Sequence, residues 1–355
     1  MKIGLVIYGS LDTLSGGYLY DRKLVEYLRA QGNTVEIISL PWRNYGAHLT
    51  DNFHFRLPRG LDLVIEDELN HPSLIAANTR PHFYPVISLV HHLRSSELRP
   101  RWQNDFYRLI EKRYLQSVDG FIFNSKSTQG VVNSLVGNGK SHMIAYPPTD
   151  RFGPAITEEE IRTRANQDGS LRILFLGNVI ERKGLHTLLG ALALGVRQDN
   201  VIPCELHVVG SLNSEPQYAK EMQAKAEALG LKSKVFFYGL LDHEPLIERF
   251  KRAHVLVVPS SYEGFGVAYL EGMCFGLPAI GTTVGAASEI ITAGVNGYLI
   301  EPDDSQTLAA CLALLAQDRD LLVRMSVSAL KRYWAQPKWD QTAKNIQDFL
   351  HAMTI

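Results

Sequence analysis

The stretch SSYEGFGVAYLEGMCFGLP, residues 260–278, reads as the end of a buried strand, a glycine turn and a short helix. Gly276 and Pro278 predict where that helix ends. The helix is apolar on nearly every side, yet Glu271 stands in its middle, where a carboxylate is costly unless it meets a ligand or hydrogen-bond donors. Glu263 stands just before the turn. Two carboxylates beside a helix N-terminus form a candidate site for a polar, anionic ligand.

The same order of strand, glycine-containing loop and helix recurs along the chain. Near the start, residues 3–8 and 34–40 predict two strands joined by a loop and a helix, which is a βαβ unit and implies a parallel sheet. Further strands are predicted at 61–66, 86–90, 121–125, 144–146, 173–176, 205–209, 235–241, 255–258 and 279–282. The fold class is therefore α/β, with two doubly wound, Rossmann-like domains that we expect to face each other across a cleft.

The domain boundary is predicted at the stiff, turn-rich segment PPTDRFGP, residues 147–154. We expect an N-terminal domain over 1–150, a linker over 151–170, a C-terminal domain over 171–335, and a final amphipathic helix within 336–355 that crosses back to the first domain.

Composition excludes several classes of protein. The 355 residues suit two domains, and a net charge of -1 offers no electrostatic case for a nucleic-acid partner. The three cysteines, Cys204, Cys274 and Cys311, have neither metal-ligand spacing nor a disulfide pattern. The cysteine pattern therefore favours a reducing cytoplasm, and the apolar run after Met1 is too short for the apolar core of a signal peptide.

Three loops of the second domain suit one kind of ligand. Arg182 and Lys183 offer two cations beside Gly184, which suits a diphosphate. The turn Gly264-Phe265-Gly266 offers backbone N–H groups, and Glu271 can accept hydrogen bonds from two adjacent hydroxyls such as those of a ribose. A diphosphate joined to a diol is a nucleoside diphosphate. The sequence carries no nucleophile elbow, no H-E-x-x-H and no Cys/His metal set, so no metal site is predicted.

The first domain gives weaker signals. Gly16 and Gly17 precede a helix, where phosphate oxygens bind well, but a plain turn is equally compatible because dinucleotide and P-loop spacings are missing. His91 follows a strand and therefore faces the ligand crevice of an open α/β sheet, with a structural role equally open. The acidic group 66–68 also ends a strand.

A basic and aromatic stripe covers residues 94–113. Trp102, Phe106, Leu109 and Ile110 follow helical spacing, so we expect most of them to face the core. Contact of the interleaved arginines and lysine with an anionic membrane surface is the less favoured alternative.

Glu263-Gly264-Phe265-Gly266, followed by Glu271 eight residues after Glu263, resembles the E-x7-E signature of retaining GT-B glycosyltransferases, in particular glycosyltransferase family 4. The resemblance extends over essentially the whole chain. It implies that Glu263 bonds the donor sugar near the reaction centre and that the backbone of the glycine turn holds the hexose and a phosphate. Glu271 would bind the ribose, and Lys183 would neutralise the diphosphate as the glycosidic bond breaks.

In the first domain the resemblance implies that Gly16 and Gly17 close on the phosphates and that His91 points at the transferred sugar and the acceptor. Leu241 would contact the base. One position departs from the family pattern, because Asn178 stands where the diphosphate loop usually has arginine. Our hypothesis is that Arg182 supplies that cation. No divalent metal or other cofactor is then expected.

The resemblance predicts a metal-independent transferase that keeps the anomeric configuration. The expected donor is a UDP-hexose, UDP-glucose first, and the expected acceptor is a saccharide or lipid-linked saccharide in cell-surface or exopolysaccharide synthesis, at the inner membrane face. Two alternatives stay open: a nucleotide-sugar-binding protein without turnover, and another GT-B enzyme, such as a UDP-sugar epimerase or a phosphorylase.

Overall fold

The structure is a computed structural model that describes residues 1–13, 15–148, 150–153, 156–197 and 203–354, with the side chains of 196 and 197 left out. The chain forms two compact units. Unit 1 is Met1–Pro148 together with Pro337–Ile355, and unit 2 is Thr149–Gln336.

Unit 1 is built on a six-stranded parallel sheet. Its strands β1 to β6 are Lys2–Tyr8, Thr34–Leu40, Leu63–Asp67, Val86–Val90, Gly120–Phe123 and Ser141–Ile144. Its helices α1 to α6 are Gly16–Ala30, Tyr45–Leu49, Asp51–His54, His71–Thr79, Arg101–Ser117 and Lys126–Val136. The strand order is β2-β1-β3-β4-β5-β6.

Unit 2 is also built on a six-stranded parallel sheet, with a different strand order. Its strands β7 to β12 are Leu171–Leu176, Cys204–Val209, Val235–Gly239, Val255–Val257, Ala279–Thr282 and Gly297–Ile300. Its helices α7 to α13 are Glu158–Ala165, Leu185–Arg197, Pro216–Ala228, His243–Arg252, Val267–Cys274, Ser305–Gln317 and Arg319–Trp334. The order β12-β11-β10-β7-β8-β9 is that of the doubly wound dinucleotide-binding fold.

The strand orders locate the ligand crevice of each sheet. In open α/β sheets ligands bind beyond the carboxyl ends of the strands, where the order of strands reverses. In unit 1 the reversal lies between β1 and β3, and in unit 2 it lies between β7 and β10. The loops after these strands carry most of the candidate residues.

The last helix, α14, is Trp339–Met353 and packs in unit 1. Its apolar face carries Ile346 and Leu350, which join Leu24 and Leu28 of α1 in one core cluster. The 3.6-residue periodicity of both helices accounts for this contact, since each presents one apolar stripe.

Two expectations from the sequence are wrong in detail. The polar stretch assigned to a linker contains helix α7, because Thr157 and Glu160 form a capping box and Ile161 is fully buried. The predicted core face of α5 is also displaced. Trp102, Phe106 and Leu109 are 74%, 43% and 50% exposed, whereas Tyr107, Ile110, Glu111, Tyr114 and Leu115 are the buried residues of that helix.

The second error has a physical cause. The buried stripe of α5 contains polar atoms that find partners inside the unit, so apolarity alone misidentifies its inner face. Glu111, for example, is fully buried and accepts a hydrogen bond from the backbone N–H of Ser95 at 3.1 Å. Among the described residues, no helix combines the length and the apolarity needed to cross a bilayer.

Candidate active site

In unit 2 the loops after β7 and β10 pack backbone against backbone. Gly184, at φ 71°, lies so close to Pro259 that a Cβ there would meet its carbonyl oxygen at 2.0 Å. Gly285 lies in the loop after β11, at φ 79°, and packs against the β10 loop in the same way. A Cβ there would meet the carbonyl oxygen of Glu263 at 2.1 Å. Both positions require glycine for conformation and for space. The two glycines therefore allow the loops to place Lys183 and Glu263 side by side.

Glu263 and Lys183 form a buried ion pair through Oε1 and Nζ. Ser260 Oγ donates a second hydrogen bond to the same carboxylate oxygen at 2.6 Å. Burial alone would raise the pKa of Glu263, but the cations of Lys183 and Arg182 and these hydrogen bonds bring it below its ordinary value. Burial lowers the pKa of Lys183, against the opposing effect of Glu263. The pair holds an ionised carboxylate at the point where the sheet order reverses.

Arg182 lies on the same loop, and its guanidinium is used within it. Its Nη1 donates to the carbonyl oxygen of Tyr262 at 2.7 Å, and the backbone N–H of Ser261 donates to its carbonyl at 2.8 Å. Arg182 thus ties the β7 loop to the β10 loop and adds positive charge beside Glu263. Whether it also replaces the arginine missing at Asn178 stays a prediction.

Glu271 lies in α11, one to two turns after the helix begins, and it is buried. Its Oε1 accepts a hydrogen bond from Nη1 of Arg151 at 2.9 Å. Burial raises the pKa of Glu271, and the arginine opposes that rise. Arg151, in the segment that follows Pro148, therefore supplies the cation that stabilises a carboxylate in this apolar helix.

The glycine turn before α11 is compact. Gly266 is the N-cap residue of α11, at φ 96°, and a Cβ there would meet the ring of Tyr269 at 2.5 Å. Phe265 is buried, so its contribution to a ligand site can come from the backbone alone. Gly264 precedes Phe265 in the loop that follows β10. Leu241 is less central, because it follows β9 at the sheet edge and β8 stands between β9 and β7.

In unit 1 the structure brings the glycine pair and the histidine together. Helix α1 begins at Gly16, with Ser15 Oγ accepting from the backbone N–H of Tyr18 at 3.2 Å. A Cβ on Gly17 would lie 3.3 Å from Cδ2 of His91, so the ring rests against the first turn of α1. His91 Nε2 lies 3.1 Å from Oδ1 of Asp21.

Acidic side chains gather at this edge of unit 1. Asp67, which ends β3, and Glu68, which follows it, are buried, and so is Glu111 of α5. Burial and then the neighbouring charge of Asp21 raise the pKa of Asp67 to about 7, and burial and then the charge of Glu68 raise that of Glu111 to about 7. The acidic group in the sequence therefore ends in the interior, where charge is costly.

Two sets of side chains here have ligand atoms within 4.8 Å of one another: Asp21 with Asp67 and His91, and Glu68 with His71 and Glu111. In the second set both ring nitrogens of His71 already have partners, the hydroxyl of Tyr45 at 2.8 Å and the carbonyl of Glu68 at 3.1 Å. In the first set Nε2 of His91 is bonded to Asp21. We therefore interpret both sets as hydrogen-bonded groups, and the predicted independence of metal stays a prediction.

Three contributing residues escaped the sequence analysis: Asp21, Arg151 and Ser260. Asp21 is an acid on the same helical face as Leu24, Val25 and Leu28, a pattern that could have marked it as buried and paired. Arg151 is a charged residue within a proline- and glycine-rich turn, which gives no such signal. Ser260 lies three residues before Glu263, within reach of its carboxylate.

This geometry can be compared with known proteins. Residues 157–332 match the family model described as glycosyl transferases group 1. The matched segment is almost the whole of unit 2 and contains Lys183, Glu263 and Glu271. The segment that is characteristic of the group 1 glycosyl transferases therefore lies in unit 2.

A curated relative is the D-inositol 3-phosphate glycosyltransferase of Corynebacterium urealyticum, which is 26% identical over 253 residues. The alignment spans 69% of this chain and 59% of that protein. Other curated relatives are matched over about half of their own length.

Two solved structures share the fold. Sucrose-phosphate synthase from Thermosynechococcus elongatus superposes with a TM-score of 0.81 at 20% identity, over 99% of this chain and 98% of that one. HepE from Anabaena, solved in complex with UDP-glucose, gives a TM-score of 0.73 at 18% identity, over 99% and 100%. These likenesses confirm the α/β, GT-B class predicted from the sequence.

Proposed function

We propose that this chain is a retaining hexosyltransferase that uses a nucleoside diphosphate sugar as donor, with UDP-glucose as the first candidate. The buried pair of Lys183 and Glu263 at the reversal point of the unit 2 sheet carries this proposal. An ammonium group held at that place suits a diphosphate, whose developing charge it can neutralise as the donor bond breaks. Glu271, on the helix that follows, suits the ribose diol.

The reaction needs positioning and charge stabilisation more than covalent chemistry from the protein. The bond between the anomeric carbon and the diphosphate breaks, and its electron pair goes to the diphosphate. The acceptor hydroxyl forms the new bond on the same face of the sugar while its proton passes to the leaving diphosphate. Lys183 stabilises the leaving group, and Glu263 holds the sugar beside it. No metal is needed where lysine, arginine and helix N-termini offset the diphosphate charge.

Two observations support UDP-glucose as the first candidate donor. HepE, which shares the fold, was solved with UDP-glucose, and the E-x7-E stretch resembles transferases that use such donors. The acceptor is proposed to be a hydroxyl of a saccharide or lipid-linked saccharide, in cell-surface or exopolysaccharide synthesis.

The proposal also includes a peripheral contact of helix α5 with an anionic membrane at the cytoplasmic face. Helix α5 exposes Trp102, Phe106 and Leu109. Four cations lie on exposed positions of the same helix: Arg101, Arg108, Lys112 and Arg113. Aromatic and aliphatic side chains flanked by basic ones suit the interface of an anionic bilayer.

The decisive experiment is a thermal-shift panel of UDP-, GDP- and ADP-hexoses, followed by NMR observation of the donor that stabilises best. We expect a UDP-hexose to raise the melting temperature, and release of UDP with a product whose anomeric configuration matches that of the donor. Glu263→Gln should lower this turnover, and Glu248→Gln, an exposed change of the same type on α10, is its control.

Each of the other outcomes would indicate a different function or mechanism. Binding without nucleotide release would indicate a nucleotide-sugar-binding protein. Conversion of the bound sugar to its epimer would indicate an epimerase. A product of inverted configuration would contradict the retaining mechanism, and stabilisation by none of the nucleotides would contradict the proposed function.

A further inference from the structure

Asp21 of α1 is a buried carboxylate to which the proposed function gives no role. Its side chain is fully buried, and it lies four residues, about one helical turn, after Gly17. Oδ1 lies 3.1 Å from Nε2 of His91, and Oδ2 has no hydrogen-bond partner among the described residues. A buried carboxylate oxygen without a partner costs free energy of folding, so the one hydrogen bond that Asp21 makes to His91 calls for an explanation.

The imidazole ring of His91 is held on several sides. The first turn of α1 touches it at Gly17, and the ring of Tyr20 meets it edge-on with centroids 5.4 Å apart. Tyr20 is itself anchored by a hydrogen bond from its hydroxyl to the carbonyl of Ala145 at 3.0 Å. Asn124 Nδ2 donates to the backbone carbonyl of His91 at 2.6 Å, which fixes the main chain that carries the ring. The ring therefore has one orientation, in which Nε2 faces Asp21.

This orientation decides the chemistry of the other nitrogen. An ionised carboxylate accepts hydrogen bonds, so the neutral imidazole carries its hydrogen on Nε2 and has its lone pair on Nδ1. Nδ1 can then accept a hydrogen bond from a hydroxyl group. When the ring is protonated, Nδ1 donates instead. Asp21 thus selects which nitrogen of the neutral His91 ring carries the hydrogen.

Because of the charged groups around the ring, the neutral and the protonated forms of His91 are both accessible near neutral pH. Burial alone would lower the pKa of His91, but the hydrogen bond and charge of Asp21 from α1, with Asp67 of β3 and Glu68 after it, raise it to about 8. Asp21 is the one of these carboxylates that is bonded to the ring.

We propose that Asp21 is a positioning residue that holds His91 in the tautomer with hydrogen on Nε2, so that Nδ1 is presented to a hydroxyl of the sugar substrate. The tautomer stands on the geometry of unit 1 alone. The role of Nδ1 toward a sugar rests on the proposed function.

Histidine NMR tests the tautomer without any substrate. In the full chain with ¹⁵N-labelled histidine, His91→Gln identifies the His91 signals. We expect the Nε2–H tautomer and titration near pH 8 in the wild type, and titration more than one pH unit lower in Asp21→Asn. A wild-type signal of the Nδ1–H tautomer would overturn the proposal even if the variant does not fold. An unchanged titration in a folded Asp21→Asn protein would do the same.

Measurement of turnover tests whether the tautomer of His91 affects the transfer reaction. With the best donor, Asp21→Asn is expected to lower kcat about 10- to 100-fold, as the loss of an orienting partner does elsewhere, with KM for the donor within about twofold. The pH profile should move to lower pH together with the NMR titration. Glu26→Gln, an exposed change on the same helix, is the control. A kcat or a pH profile equal to that of the wild type would refute the role of Nδ1. If the wild type turns over no donor, the proposed function fails, while NMR still decides the tautomer.

Discussion

Arg151 Nη1 lies 2.9 Å from Oε1 of Glu271, although 120 residues separate them in the chain. The arginine is half-exposed and comes just after the boundary between the two units, whereas the glutamate is buried in α11. A single cation from an irregular segment therefore stabilises the carboxylate that we assign to the ribose. A ligand that bonds Glu271 must share this carboxylate with Arg151 or replace the arginine.

The assignment of Glu271 to the ribose can be tested by removing one hydroxyl from the ligand. Wild-type protein should bind UDP about 10- to 100-fold more tightly than 2′-deoxy-UDP, since hydrogen bonds to charged groups contribute about 1.5–3 kcal/mol. In Glu271→Gln that ratio should shrink toward one, as measured by titration calorimetry.

Glu263→Gln is the matched control for the ribose experiment, because it should lower turnover more than nucleotide affinity and keep the ratio. An undiminished preference for UDP in Glu271→Gln would contradict the assignment.

Lys183→Met should destabilise unit 2. The substitution keeps most of the side-chain volume but leaves the carboxylate of Glu263 buried without its cation. Loss of one partner of a buried pair costs about 3–5 kcal/mol. Urea denaturation should show this loss, and the double variant with Glu263→Gln should recover most of it.

Lys220→Met, at an exposed position of α9, should change the free energy of unfolding very little. If the Lys183 variant were as stable as the Lys220 variant, the pair would have little effect on stability.

Glu66→Gln should stabilise the protein increasingly as the pH rises. Burial raises the pKa of Glu66 to about 8, against the hydrogen bond that Asn78 donates to it. The ordinary value in the unfolded chain is about 4.3. Its contribution to stability is therefore fully present below about pH 4.3 and is lost as the pH rises through about 8. The variant, which stays neutral, should gain up to ~1.4 kcal/mol per pH unit within this window.

Denaturant unfolding at pH 5.5, 7 and 8.5 measures the gain of the Glu66 variant. Asp67 and Glu111 titrate in both proteins, so their contributions cancel to first order in the difference. Glu36→Gln, at a half-exposed position of β2, should show no gain that rises with pH. A constant difference across the three pH values would show that Glu66 is ionised throughout.

The proposed membrane contact predicts co-flotation with anionic vesicles. Wild-type protein should float with vesicles that contain phosphatidylglycerol and much less with phosphatidylcholine alone. Trp102→Ala with Phe106→Ala should reduce binding at least about tenfold, given about 1.5–3 kcal/mol for each large apolar side chain buried. Trp334→Ala, which removes an exposed tryptophan of unit 2, is the control. Equal binding by all three proteins would exclude α5 as the contact.

The expected independence of metal is also testable. Transfer should proceed at an unchanged rate in excess EDTA, because Lys183 and Arg182 supply positive charge beside Glu263. The rate of UDP release from UDP-glucose with and without EDTA measures this. Activity that is lost in EDTA and restored by Mn²⁺ or Mg²⁺ would contradict the expectation.

Much of the fold follows from local patterns. Short apolar runs between glycine turns and amphipathic helices predicted most of the strands of two parallel sheets, and the E-x7-E stretch around Glu263 predicted the family. Strand β12, Gly297–Ile300, was not predicted. The inner face of α5 was placed wrongly because Glu111 is buried there and Trp102 is exposed.

The site divides along a similar line. The sequence alone determined the candidate groups Lys183, Glu263, Glu271 and His91, because residue type and position after a strand are local properties. Tertiary structure alone decided which partner each group has: Lys183 for Glu263, Arg151 for Glu271 and Asp21 for His91. These partners lie 70 to 120 residues apart. Only tertiary packing of strand-end loops and of the helices and segments beside them brings these partners together, and burial there gives each pair its electrostatic effect.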